Sequence, residues 1–486
     1  MLRIRSSRYG ARREMFPRRP GYNGLILLLR LLVPLFLLAC AAAAANPDSY
    51  DDLARDILQE LVEIRSSETF PENTNRLLDG VAERLRREGF AEDQIAFVRS
   101  GPVNNLIVRY KGSGERKPLL VMAHIDVVDA DPDAWQADPF TLLTKGGYYY
   151  GRGTSDNKAG AATLIADFIR LKREGYQPKR DLIMVLTGNE ESTMAGITAI
   201  ARDHRELIDA ELAFNTDAGG GELDDEGRPR LLSIQMSEKL YQSFTFTVTN
   251  PGGHSSRPRP DNAIYQLARA LTRLETYRFP VQVNEVVRES LRVGAEATPG
   301  EVGELMAQAA KAQPDPDVLR RLAAADAGLN ASIRTTCVAT MLKAGVAENA
   351  LPRQAQATVN CRILPGTTPE QVQATLREIV ADPAVKVERI GESKPSPPSP
   401  LREDVMTKLR TLSKEFFGSA PIAPSQSTGA TDGLRVRQLG IPVYGFSGIA
   451  TGPEDRRAHG LDERLPVDSF HRAVRFWYQL LKEFGG

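Results

Sequence analysis

The 486-residue chain has only three cysteines, five histidines and two tryptophans, and it has no surplus of charge: Lys+Arg and Asp+Glu are both 62. With no basic excess there is no electrostatic footprint for nucleic acid, and with no acidic excess there is no charged tail for a basic partner. Cys337 and Cys361 are the only cysteines beyond Cys40, and neither has a Cys-x-x-Cys neighbour, so a cysteine zinc site is excluded. Whether the two pair is a matter of geometry that sequence leaves open. Internal repeats are absent. Outside the first 45 residues, no apolar run approaches the length needed to span a bilayer.

The first 45 residues differ from the rest. Arginines at 3, 5, 8, 12, 13, 18 and 19 precede an apolar stretch over 25–39, followed by small residues and then Asn46-Pro47-Asp48. This is the layout of an export signal, so the expected location is periplasmic or membrane-anchored. Arg30 and Pro34 interrupt the stretch and argue against a permanent span. Leu37-Leu38-Ala39-Cys40 also has the form of a lipoprotein processing site. Acylation of Cys40 would tether the chain to a membrane. Removal of the whole segment is the alternative.

A chain of this length calls for two cores. Strands are expected over 105–110, 119–123, 182–187 and 211–214, with a helix over 159–174 closed by Gly175. Apolar strands alternating with helices predict an α/β catalytic domain, a mainly parallel sheet with helices on both faces. From about 237 the pattern changes. A half-exposed strand over 241–249, a helix over 262–274, strands over 335–343 and 355–364, a helix over 368–380 and a strand over 385–390 give the order β-α-β-β-α-β. That order predicts an inserted α+β open-faced sandwich of the lid or dimerisation type. The expected organisation is therefore a signal over 1–45, the first part of the catalytic domain over 46–236, the inserted domain over 237–392, and the second part of the catalytic domain over 393–486. A polar helical stretch over 277–329 interrupts the insert without a readable role.

The chemistry-bearing residues gather at strand ends. His124 and Asp126 follow the run 119–123, Glu190 and Glu191 follow 182–187, and Asp217 follows 211–214. Asp156 ends the glycine turn Gly151-Arg-Gly-Thr-Ser-Asp156, and His459 lies in Ala458-His459-Gly-Leu-Asp-Glu463. In open α/β sheets ligands bind beyond the carboxyl ends of the strands. Histidines and carboxylates converging there suit a catalytic metal, and two adjacent acids can divide into one ligand and one general base.

His124-x-Asp126, Gly151-Arg-Gly-x-x-Asp156-x-Lys158, Glu190-Glu191, Asp217 and Ala458-His459-x-x-Asp-Glu463 occur in this order. Gly252-Gly253-His254-Ser-Ser and Asn349-Ala-Leu-Pro352 lie between them. Together they resemble the co-catalytic zinc metallopeptidases that include aminoacylase, carboxypeptidase G, carboxypeptidase S and succinyl-diaminopimelate desuccinylase. The resemblance implies two divalent metal ions, zinc with cobalt or manganese also fitting. Asp156 would bridge them, His124 and Asp217 would complete one site, and Glu191 and His459 the other. It implies Glu190 as the base that activates a metal-bridging water, with Asp126 behind His124. His254 would be an oxyanion donor, supplied in dimeric relatives by the partner subunit. Arg362 and Asn349 would bind the substrate carboxylate, with Thr431 and Asp432 in a loop beside the site. A cis bond after Asp156 is also implied. The expected reaction is hydrolysis of an amide in a small peptide or N-acyl amino acid bearing a free carboxylate. Trp135-x-x-Asp138-Pro139-Phe140 and the long insert resemble the carboxypeptidase S and N-acyl-amino-acid hydrolase branch. The alternatives are a metal-binding module without catalysis, which should lack the base or a ligand, and a related two-metal aminopeptidase, which should lack the insert.

Overall fold

The apolar runs 119–124 and 182–187 become adjacent parallel strands at the centre of a large sheet, in register from Leu119↔Leu182 to His124↔Thr187. The computed structural model describes residues 47–486, so the export signal and Cys40 lie outside the described residues. Both strands are buried along their whole length because their side chains feed two cores alternately. Leu119, Val121, Leu182, Met184 and Leu186 pack in one core with residues of the helices Pro47–Val62, Lys158–Arg173 and Val467–Gly485. Leu120, Met122, Ile183 and Val185 pack in the other with Ile197, Ile200 and Val436. Each such aliphatic side chain contributes about 1.5–3 kcal/mol by leaving water. The burial explains why the runs are continuous rather than alternating.

Leu212–Asn215 and Val443–Gly445 continue the parallel array beside Leu119–His124. Val103–Tyr110 and Ile95–Ser100 extend the opposite edge antiparallel. The sheet runs further than the helix–strand alternation indicates. Pro229–Glu238, Gly220–Leu223, Ile422–Ser427 and Ala450–Thr451 add mixed pairings beyond Val443–Gly445. No helix among the described residues is long and apolar enough to cross a membrane.

A second, antiparallel sheet has the order Thr336–Ala344, Gln354–Ile363, Leu240–Thr249, Val385–Ile390. Phe244, Phe246, Val248, Ala357 and Val359 face the helices Ala263–Thr276 and Pro369–Val380, and form a core of their own. Arg362 alternates to the opposite face. The stretch 237–392 divides between the two sheets. Helices Glu285–Ala297, Glu301–Ala309, Pro316–Ala325 and Ala327–Ile333 enclose a small separate core, and the first of them packs on Ile422–Ser427 of the large sheet.

Cys337 and Cys361 are opposed across two strands of the smaller sheet and joined in a disulfide, Cα atoms 4.1 Å apart. The bond closes a loop of 24 residues in sequence separation. On chain-entropy grounds its removal is expected to cost about 3 kcal/mol. Urea unfolding of the oxidised chain against a Cys337→Ala/Cys361→Ala variant checks this, and equal midpoints would refute it.

Candidate metal centre

Three neighbouring parallel strands end on one rim of the large sheet. His124 closes Leu119–His124, Asp217 follows Leu212–Asn215, and Glu190 and Glu191 follow Leu182–Thr187. Strands lie about 4.8 Å apart, so side chains leaving adjacent ends converge. Asp156 joins them from the turn before helix Lys158–Arg173, and the bond from Asp156 to Asn157 is cis. His459 arrives from the loop 457–463, where His459 (φ 63°) and Asp462 (φ 53°) both occupy the left-handed region. Non-glycine residues adopt that conformation mainly where surrounding structure imposes it.

The two oxygens of Asp156 face different histidines. His124 Nε2 lies 3.0 Å from Oδ1, and His459 Nε2 lies 3.2 Å from Oδ2. Each histidine meets a second acid, His124 with Asp217 at 3.3 Å and His459 with Glu191 at 2.9 Å. Ligand atoms of His124, Asp156 and Glu191, and of His124, Glu190 and Asp217, each fall within 4.8 Å of one another. The second grouping shows that distance alone does not separate Glu190 from the other acids. Their histidine contacts differ: Glu191 bonds His459 and Glu190 does not. Asp126 accepts the backbone N–H of Glu190 at 3.1 Å and of Glu191 at 3.0 Å. Its own backbone carbonyl lies 3.0 Å from His124 Nδ1, which turns Nε2 toward Asp156.

The turn that carries Asp156 is held by one buried carboxylate. Glu463 Oε1 accepts from Ser155 N (2.7 Å), Ser155 Oγ (2.8 Å) and Asp156 N (3.1 Å); Oε2 accepts from Gly153 N (3.0 Å) and Arg152 Nη1 (2.8 Å). Gly153 permits this with φ 88°, and a Cβ there would come within 2.7 Å of Val127. Lys158 anchors the turn from below, donating to the carbonyls of Leu61 (2.7 Å) and Ile64 (2.8 Å). Glu463 and Lys158 stand within the sequence motifs, which assign neither of them a role. The signal for Glu463 is an acid four residues after His459 and just before the short strand Arg464–Pro466, where a buried carboxylate must find donors.

The electrostatics fit cations. Burial, with Asp217 adding to it, pushes Glu190 up to about 11, and burial pushes Asp217 up to about 7 against the pull of His124. Burial opposes charge on His124, but Asp217 and the hydrogen bonds to Asp156 and Asp217 push it well above the usual imidazole range. Burial likewise opposes charge on Asp156, and hydrogen bonds from His124 and His459 outweigh it and hold the carboxyl well below its usual range. Four acids and two imidazoles this close, all but His459 largely shielded from water, form a donor set that would suit two divalent cations. Beside Asp156 and Asp217 a cleft of about 330 Å³ opens between Gly219, Ile449 and Ala458.

The second sheet carries the other predicted residues. His254 is exposed, in a two-residue ribbon opposite Ala350, with Nδ1 accepting from Ser256 Oγ at 2.8 Å. Asn349 adjoins it, its carbonyl accepting from Ser255 N at 3.0 Å. Arg362 stacks 4.8 Å over the ring of Tyr241 and has no salt bridge among the described residues; burial lowers its pKa. No hydrogen bond among the described residues joins His254, Asn349 or Arg362 to the acidic cluster. Thr431 and Asp432 turn inward: Thr431 bonds Glu238, and Asp432 Oδ2 accepts from Thr187 Oγ1 at 2.5 Å.

Comparison with known proteins agrees with this arrangement. Human N-fatty-acyl-amino acid synthase/hydrolase PM20D1 is 33% identical over 377 residues, covering 75% of this chain and 74% of that protein. Probable carboxypeptidase S-like 2 of Dictyostelium discoideum is 28% identical, covering 78% and 74%. Among solved structures, the M20 family metallo-carboxypeptidase Sso-CP2 from Sulfolobus solfataricus superposes with a TM-score of 0.67 at 18% identity, covering 88% of this chain and 98% of that one. A metal rim of this geometry on this fold, with residues 120–483 matching peptidase family M20/M25/M40, places the chain in that family of metal-dependent hydrolases.

Proposed function

We propose that the protein hydrolyses the amide bond of an N-acyl amino acid with a free carboxylate, using zinc at both sites. The observation that carries this reading is the division of Asp156, one oxygen toward His124 and the other toward His459, each histidine backed by its own second acid. Two divalent cations held by His124, Asp217, Asp156, Glu191 and His459 would supply charge to polarise the amide carbonyl and to acidify water. Glu190 is the general base: it takes the proton from the attacking water and returns it to the leaving amine. Asp126 fixes Glu190 and Glu191 through their N–H groups. His254 donates to the oxyanion, and Arg362 with Asn349 holds the carboxylate. A guanidinium without an acidic partner suits a bidentate carboxylate. The 33% identity to a protein named for fatty-acyl amino acids supports an acyl group in preference to a second residue on the other side of the bond.

Metal analysis, together with a screen of N-acyl amino acids against dipeptides, tests the reading. Two zinc ions per chain and faster turnover of the N-acyl amino acids are expected. Turnover of dipeptides alone would sink the substrate assignment, and bound metal without hydrolysis would sink the catalytic one.

The strand Thr336–Ala344 lies at the edge of the smaller sheet and exposes Val338 (58%), Met341 (68%) and Leu342 (68%). An open apolar edge invites pairing, and a second copy of the chain, edge to edge, is the proposed occupant. Sedimentation equilibrium is expected to show a dimer that Val338→Lys/Met341→Lys converts to monomer; a monomeric wild-type chain would refute it. Export to an oxidising compartment, with the N-terminus as signal or tether, is the proposed location. The Cys337–Cys361 disulfide supports it.

A further inference from the structure

Glu238 sits where the two sheets meet. It ends the large-sheet strand Pro229–Glu238, and Leu240 begins the strand Leu240–Thr249 of the smaller sheet. Its carboxylate is buried and fully engaged. Oε1 accepts from Arg437 Nη1 (2.7 Å), Thr431 Oγ1 (2.8 Å) and Gln235 Nε2 (2.9 Å), and Oε2 accepts from Thr431 N (3.0 Å). From Thr431 the contacts lead to the metal rim. Asn215 Nδ2 donates to Thr431 Oγ1 at 3.1 Å, and Asn215 Oδ1 accepts the backbone N–H of Asp217 at 3.1 Å. Asn215 and Thr431 are buried too.

The donor and acceptor inventory gives this chain one direction. A carboxylate only accepts, so the Thr431 hydroxyl must donate to Glu238 and can offer Asn215 only a lone pair. Asn215 must therefore present its NH₂ to Thr431 and its carbonyl oxygen to Asp217 N–H. Were the Thr431 hydroxyl lost, Asn215 Nδ2 would lose its buried acceptor, and only the Asp217 N–H would hold the amide in this orientation.

We propose that Glu238 is a positioning residue for Asp217, acting through Thr431 and Asn215, so that one buried group at the junction of the two sheets sets the backbone of a metal ligand. The inference rests on Asp217 being a ligand, as the proposed function has it. Groups that orient metal ligands are worth about 10–100-fold in metal affinity or activity.

Thr431→Val is the informative variant, because it keeps the side-chain shape, removes the hydroxyl and leaves the Glu238–Arg437 ion pair intact. Zinc is titrated into the chelator-stripped full-length protein by calorimetry, alongside kcat, KM and Tm. The expected result is that Thr431→Val weakens one of two zinc sites about 10–100-fold and leaves the other nearly unchanged. The accompanying loss falls on kcat more than on KM, and Thr431→Ser restores both. Glu238→Gln reads the same chain from its other end and is expected to show the same selective loss, which keeps the test decisive if the valine variant does not fold. Two unchanged zinc affinities, or equal weakening of both sites in step with Tm, would overturn the inference while the metal reading stands. Wild-type protein that binds fewer than two zinc ions would overturn the metal reading and this inference with it.

Discussion

Glu190→Ala is expected to lower turnover by about 10²–10⁴-fold, the range for loss of a general acid–base group, with two metal ions still bound. Glu191→Ala is expected to lose metal from one site. The two acids are neighbours in sequence, and both receive backbone support from Asp126. They differ in what their carboxylates face. Glu191 meets His459 at 2.9 Å, the histidine that also faces Oδ2 of Asp156. Glu190 has no such histidine and stands in a buried position where desolvation makes its carboxylate more basic. A base must hold a proton briefly and return it, and a carboxylate fully committed to a cation cannot. Metal content by atomic emission, beside kcat, separates the roles. Equal metal loss in both variants would show them exchanged, since Glu190 also lies within ligand reach of His124 and Asp217.

The second large effect is expected at His254. His254→Ala should reduce kcat by about 10²–10³-fold, the value of one oxyanion donor, with both metals retained. Ser256 engages Nδ1 and leaves Nε2 free to donate. The exposed ring makes no hydrogen bond to the metal rim among the described residues, so it must be brought there by closure within one chain or by a second copy. Mixing His254→Ala with Glu190→Ala distinguishes these. If a partner donates His254, random hybrid dimers should regain about a quarter of wild-type turnover, because half the dimers are mixed and each has one complete site. If closure is internal, the mixture stays as inactive as its components. Near-normal turnover of His254→Ala alone would remove this residue from the mechanism.

The sequence by itself determined the centre of the large sheet and the residues on its rim. Runs such as 119–123 and 182–186 are apolar at every position because both faces are covered, and few other structures suit such a run. Side chains just past the ends of adjacent parallel strands converge by geometry alone, so His124, Glu190, Glu191 and Asp217 were legible as one site. The disulfide, the packing of helix Glu285–Ala297 on the large sheet, and the added strands Pro229–Glu238 and Ile422–Ser427 were not. Each depends on which distant segment lies alongside, and no local period encodes that. The same holds for Glu463, Glu238 and Asn215. A polar residue in a loop or at a strand end reads alike whether it meets water or five buried donors. Only the tertiary structure placed Glu463 under the turn of Asp156 and Glu238 beneath Thr431, because burial, which makes each hydrogen bond obligatory, is a property of the packed chain and not of the residue.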